Sequence, residues 1–192
     1  MLNGWRLRVP LRWTMQLGAP ALAAAYALGR VGCFLVNDDY GRPSTLPWAV
    51  QFPKGLPPST AGNMQHLFGI AIPPGTDPST VLAVHPTQLY ETGLMLVAFA
   101  VLWRLRLGAR PVGWLFGVYL MFAGVERFLI EFLRAKDDRF FGSFTLAQLT
   151  SVTLIAVGLA LVAAWRGGPS PAPGDYLSHG KGAPAARKKS AA

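Results

Sequence analysis

The sequence predicts an all-α fold, a polytopic membrane helical bundle of about four transmembrane helices with a small external loop region. Three observations carry that prediction. Hydrophobic residues make up 52% of the chain against 14% charged, and the mean hydropathy is +0.33, which points to lipid as part of the solvent. Four apolar segments recur along it, roughly residues 18–36, 88–103, 112–131 and 145–165. The charges flank these segments rather than interrupt them evenly.

The fourth segment, T-L-A-Q-L-T-S-V-T-L-I-A-V-G-L-A-L-V-A-A-W, runs 21 residues without a charge and is long enough to span a bilayer. The second is shorter and the first is rich in Gly and Ala. If all four span, both termini share one side. Arg6, Arg8 and Arg12 then precede the first span, and Arg104, Arg106 and Arg110 lie between the second and third. Arg166, Lys181, Arg187, Lys188 and Lys189 follow the fourth, so 11 of the 18 basic residues fall on one side. The positive-inside rule makes that side cytoplasmic and gives a multi-pass chain with both termini inside. Of the nine acids, only Asp175 joins the cytoplasmic set. A net charge of +9 raises nucleic acid as a partner, but bases that flank hydrophobic segments do not form one folded basic surface, and no nucleic acid is expected.

The organisation follows from these spans. Residues 1–17 form a basic cytoplasmic segment, and residues 18–166 form the transmembrane domain with an external loop at 37–84. Residues 167–192 form a disordered basic cytoplasmic tail, rich in Gly, Pro, Ala and Lys, that can brush anionic headgroups. The external loop holds eight of the 16 prolines, so it is not helical overall. Within it W-A-V-Q-F and T-V-L-A-V favour β structure and could pair as a small hairpin.

The basic start, the apolar run and G-R-V-G-C also admit a lipoprotein signal ending at Cys33. That reading fails at Arg30, because the position three before such a cysteine is apolar. Cys33 has no partner for an internal disulfide and reads as a small helical side chain.

The depth of the charges is the main functional clue. Arg30 lies about 9 Å short of the far end of the first span, at about 1.5 Å per helical residue. An ionised side chain there costs on the order of 3 kcal/mol unless it is paired or lines a polar cavity. No acid lies three or four residues away on its helix, so its partner must come from elsewhere. Glu91 begins the second span just after His85. The third span ends in E-R-F-L-I-E-F-L-R, where Arg127, Glu131 and Arg134 have the i, i+4, i+7 spacing of one helical face. Arg30 and Arg127 facing one cavity would make a fork for an anionic group such as phosphate. H-P-T-Q-L-Y-E, residues 85–91, adds the imidazole of His85, the amide of Gln88, the phenol of Tyr90 and the carboxylate of Glu91 at the same level. A small transporter would need polar groups through the full depth of the bilayer, and here they stop halfway.

These residues resemble the prolipoprotein diacylglyceryl transferase family. Its signature has the form G-R-x-G-N-F-x-N-G-E-x-x-G-R, and G-R-V-G-C-F-L-V-N-D-D-Y-G-R, from Gly29 to Arg42, is similar to it without a gap. P-W-A-V-Q-F-P, H-P-T-Q-L-Y-E and R-F-L-I-E-F-L-R are further matching blocks in order. The resemblance implies transfer of a diacylglyceryl group from phosphatidylglycerol to the cysteine thiol of a lipobox substrate, with release of glycerol phosphate. The implied partners are phosphatidylglycerol, prolipoprotein signal peptides and membrane lipids, and the implied location is the bacterial inner membrane; no metal or cofactor is expected. It makes Arg30, Arg127, Asp38 and His85 the catalytic candidates, with Asp38 at the signature's Glu. Gly29, Gly32, Asn37, Gly41, Arg42, Gln88, Tyr90, Glu91, Glu131 and Arg134 are the substrate-binding candidates. Cys33 and Val36 replace the signature's two Asn residues. Family members are usually longer at the N-terminus, with further spans and a His-Gly-Gly motif. Met1 stands about where their central helix starts, so the chain is expected to be either a piece of a longer protein or a divergent homologue. A non-catalytic lipid-binding or accessory membrane protein of the same family is the alternative.

Overall fold

The structure is a computed structural model, and it describes residues 11–108, 110–135, 139–141 and 144–168. In chain order its elements are α1 (Leu11–Leu35), β1 (Val50–Gln51), α2 (Ala61–His66), β2 (Ala83–Val84), α3 (Thr87–Leu105), α4 (Trp114–Glu131), β3 (Arg139–Phe141), β4 (Phe144–Thr145) and α5 (Leu146–Ala164). The four long helices coincide with the four apolar segments. Two of them, α1 and α5, are long and apolar enough to cross a membrane. In α4 the charges Glu126, Arg127 and Glu131 interrupt the apolar run, and the first turns of α3 carry Gln88 and Glu91. Exposed Leu and Val side chains on α1, α3 and α5 give the bundle an apolar outer surface that suits hydrocarbon better than water.

α1 starts earlier than residue 18. Arg12 and Gln16 lower the hydropathy of its first turns without preventing helix, because both have partners elsewhere in the bundle. The Arg12 guanidinium lies 5.1 Å from the centroid of the Trp165 ring. The Gln16 Oε1 accepts from the backbone N–H groups of Gly113 and Leu115, at 2.9 and 3.1 Å, which would otherwise be orphans at the start of α4. Residues 1–10 and 169–192, which include most of the expected basic segment and nearly all of the expected tail, lie outside the described residues.

Small side chains set how closely the helices approach. Ala19, Ala23 and Ala27 recur every four residues on α1 and pack with Met95, Ala98 and Leu102 of α3 and Leu115 of α4. α4 and α5 cross where Gly117 meets Gly158. A Cβ added to Gly117 would sit 2.8 Å from the Gly158 carbonyl oxygen, so the backbones touch, as is common between membrane helices. Thr145 and Gln148 form a reciprocal capping box at the start of α5.

The loop between α1 and α3 folds into its own small core. Tyr40, Phe52, Met64 and Val84 are buried together with Ala135, and the Tyr40 and Phe52 rings stack at 5.3 Å. The expected pairing of the two β-prone segments is present: β1 runs antiparallel to β2, with Val50 opposite Val84. β3 and β4 form a second antiparallel pair.

Candidate functional site

The site is built where the C-terminal end of α1, the N-terminal end of α3 and the C-terminal end of α4 converge. The chain leaves α1 through Asn37 and Asp39, both in the left-handed region at φ 59° and 65°. Asn37 stands where the family signature has Gly, and Asn tolerates that conformation better than most residues. The turn is then fixed from α3. The Thr87 hydroxyl donates to the Asp39 carbonyl at 2.8 Å, and the Gln88 amide donates to the Asp38 carbonyl.

Gly41 pins the third element. Its N–H donates to the His85 carbonyl at 2.8 Å, the Arg42 N–H donates to the Leu133 carbonyl at 2.8 Å, and Gly41 pairs with Arg134 as an isolated antiparallel bridge. A Cβ on Gly41 would lie 2.6 Å from the Leu133 oxygen and 2.8 Å from side-chain atoms of His85 and Thr87. Only glycine fits this crossing without displacing its neighbours.

These constraints bring four charged side chains together. Arg30, 12% exposed, donates from Nη1 to Asp39 Oδ2 at 2.8 Å, while its Nε lies against the fully buried Glu91. The Tyr26 hydroxyl, one turn earlier on α1, donates to the same Glu91 oxygen at 3.2 Å. Arg134, 11% exposed, closes on the other oxygen of Asp39. Asp39 is therefore shared by two guanidiniums from opposite ends of the chain. Its own exposure is 31%, and although burial alone would raise its pKa, the Arg30 and Arg134 charges hold it below the usual carboxylate value. Burying ions this deeply is unfavourable by several kcal/mol each unless they are paired, and here Arg30 meets acids on both sides.

The arrangement differs from the expectation in three ways. The arginine that shares a carboxylate with Arg30 is Arg134, not Arg127. Arg127 is 30% exposed and pairs with Glu131 at 3.6 Å, acting on Asp39 and Glu91 only at longer range. Arg134 does not continue the helical face of Arg127 and Glu131, because α4 ends at Glu131 and the bridge to Gly41 turns the following backbone away. Finally, the inward carboxylate of the Asp38–Asp39 pair is Asp39. Asp38 is exposed and lines a cavity of about 160 Å³ with Asp39, Arg134, Leu56, Pro57 and Phe68.

The remaining candidates sit around this centre. His85 Nδ1 is 3.3 Å from the Tyr90 hydroxyl, which also accepts from Trp48 Nε1 at 2.7 Å. Burial lowers the His85 pKa. The Arg42 Nε donates to the Arg134 carbonyl at 3.0 Å, so Arg42 braces backbone rather than facing the cavity. Gly29 and Gly32 lie on an exposed face of α1, with nothing near their Cβ positions. Sequence reasoning did not select Asp39, Tyr26, Thr87 or Glu126. Tyr26 was readable, since it is four residues before Arg30 and shares its face. Glu126 is 4% exposed, with Oε1 lacking a hydrogen-bond partner among the described residues, and it lies within electrostatic reach of Tyr26 and Glu91.

A family model described as prolipoprotein diacylglyceryl transferase matches residues 1–164. The chain belongs to the prolipoprotein diacylglyceryl transferase family. Relatives named phosphatidylglycerol–prolipoprotein diacylglyceryl transferase include one from Bordetella avium, 35% identical over 147 residues, covering 74% of this chain and 47% of the relative. One from Xanthomonas oryzae pv. oryzae is 34% identical over 160 residues, covering 81% and 53%. One from Pseudomonas putida is 31% identical over 153 residues, covering 77% and 49%. The chain thus spans about half the length of the curated relatives it matches. The mostly helical fold, with two helices long and apolar enough to cross a membrane, is consistent with a membrane helical protein of that family.

Proposed function

We propose that this chain takes part in transfer of the diacylglyceryl group of phosphatidylglycerol to the lipobox cysteine of prolipoproteins. The observation that carries this reading is the buried Arg30, held between Glu91 and Asp39 inside the segment that resembles the family signature. The names of the relatives support it, since they specify phosphatidylglycerol and prolipoprotein.

In the reaction, the thiolate of the substrate cysteine attacks the glyceryl carbon that bears the phosphate ester. A C–S bond forms, the C–O bond breaks, and the electron pair leaves with glycerol phosphate. A free thiol has a pKa of about 8.5, so its proton must pass to a base or to solvent before or during attack. His85 is the proposed base: its depressed pKa keeps it neutral, and able to accept a proton, at neutral pH. The leaving phosphate gains negative charge, and preorganised cations stabilise that charge better in the transition state than in the ground state. Arg30, Arg127 and Arg134 are the proposed cations. Asp38 is the proposed acceptor of hydrogen bonds from the glycerol hydroxyls, a reading supported by its exposure at the cavity. The substrate-binding assignments of Asn37, Gln88, Tyr90 and Glu91 belong to the same reading, chiefly through the shape they give the turn.

In this reading four helices span the bacterial inner membrane with both termini cytoplasmic. The cavity then opens on the outer side, where signal peptides and lipid headgroups meet. A non-catalytic lipid-binding role is the second reading, supported by Cys33 and Val36 standing where the family signature has Asn. One assay separates them. The purified chain is incubated in detergent with phosphatidylglycerol and a lipobox peptide, and the peptide is weighed by mass spectrometry. The mass increase of thioether-linked diacylglycerol is expected; retained lipid binding without it would leave the accessory role.

A further inference from the structure

The carboxylate of Asp39 occupies the position an incoming anion would need. It bridges Arg30, at 2.8 Å, and Arg134, and it is nearly three times as exposed as either guanidinium. It therefore stands between Arg30 and the cavity, which it lines together with Asp38 and Arg134, and it holds the guanidinium of Arg134 at the cavity wall. At about 160 Å³ that cavity holds roughly five waters' worth of volume, enough for a phosphate group. Arg30 Nη2 is buried without a hydrogen-bond partner among the described residues, so one donor of the pair remains to be satisfied. The turn around Asp39 is locked by Thr87, whereas among the described residues its side chain is held by the two guanidiniums of Arg30 and Arg134. The carboxylate can rotate away while the backbone stays in place.

We infer that Asp39 is a displaceable counter-ion, a specificity-determining residue that a phosphate-bearing anion must replace to reach Arg30 and to take over the Arg134 guanidinium that already faces the cavity. This rests on reading the arginine pair as the headgroup site, though not on transfer taking place there. Without a guest, Asp39 keeps two buried cations neutralised. With one, the guest's oxygens take over its ionic contacts and Asp39 turns into the cavity. Weakly charged or poorly placed anions then fail to compete, and affinity is given up for selectivity.

The test titrates the full chain in detergent with glycerol phosphate, and the chain in nanodiscs with increasing phosphatidylglycerol. Asp39→Asn should tighten binding by about tenfold or more, as expected for removing one unit charge at contact distance. Asp39→Glu should stay within about twofold of the unsubstituted chain, and Arg134→Gln added to Asp39→Asn should abolish the gain. A gain with glycerol phosphate alone supports the counter-ion and makes the guest a soluble phosphate ester; a gain in both supports it with a lipid headgroup as guest. Unchanged or weaker binding in Asp39→Asn overturns it. If that variant does not fold, the unsubstituted chain still decides: saturation with glycerol phosphate should shift the Asp39 carboxyl ¹³C signal, and an unmoved signal overturns the inference. Tighter binding without diacylglyceryl transfer leaves Asp39 its role and removes the enzymatic reading. Transfer without tighter binding removes the role of Asp39 alone.

Discussion

Arginine is held in opposite ways at the two ends of the helix bundle. Where α1 ends and α3 begins, Arg30 and Arg134 are buried against Glu91 and Asp39, and their charges are compensated by acids. Where α1 begins and α3 ends, Arg12, Arg106 and Arg110 lie over Trp165, Trp103 and Trp114 at 5.1, 3.6 and 4.9 Å, and their charges remain near the surface. An arginine on an aromatic face keeps access to water and gains about 0.5–1 kcal/mol when exposed. A buried one is committed to specific acids and strongly destabilises the fold when either partner is lost. The contrast separates an end suited to holding a membrane interface from an end suited to recognising a charged ligand.

The sharpest way to break that comparison is to remove one arginine from each end. Arg30→Ala leaves Glu91 buried and uncompensated, and should cost about 3–5 kcal/mol in denaturant titrations in detergent, with loss of phosphatidylglycerol binding. Arg106→Ala should change stability by less than about 1 kcal/mol and leave binding intact. Equal losses would remove the distinction.

A smaller effect probes the opposite end through a neutral residue. Gln16→Leu strips the acceptor from two N–H groups at the start of α4 and should cost about 1–3 kcal/mol, read from thermal unfolding, without altering lipid binding. Arg127→Ala should act on both: the pair is long at 3.6 Å, but its loss leaves Glu131 buried without its ionic partner, so stability should fall by about 1–3 kcal/mol while diacylglyceryl transfer is lost.

The smallest effect is a pH dependence at His85. Its folded pKa is depressed, so the folded state binds fewer protons than the unfolded one near the ordinary His value of about 6.5. Its contribution is therefore complete above that value and is lost as pH falls toward the folded pKa. The unfolding midpoint should drop as pH falls below about 6.5, and this slope should be shallower in His85→Asn.

The helices were legible because an apolar run of bilayer length leaves few alternatives, and the start of α1 was misread only because Arg12 and Gln16 find partners that hydropathy cannot register. At the site, the need of Arg30 for a partner was legible from the absence of acids on its own helix. Which acid answers was not. The Asp38–Asp39 pair is ambiguous by one residue, and the choice is made by a left-handed backbone at Asp39 that composition does not encode. Arg134 was placed on a helical face by spacing alone, whereas a bridge to Gly41, far away in sequence, ends the helix first. Contacts that decide between neighbouring residues are long-range, and periodicity is local.

The crossing at Gly41 gives the assembly of the site an all-or-nothing character. Because the exit from α1, the approach to α3 and the end of α4 touch at this one residue, Glu91 meets Arg30 and Arg134 meets Asp39 only when all three have docked. A side chain at this position would hold the three apart and break both long-range pairs at once, while leaving Arg127–Glu131, which lies within one helix, intact.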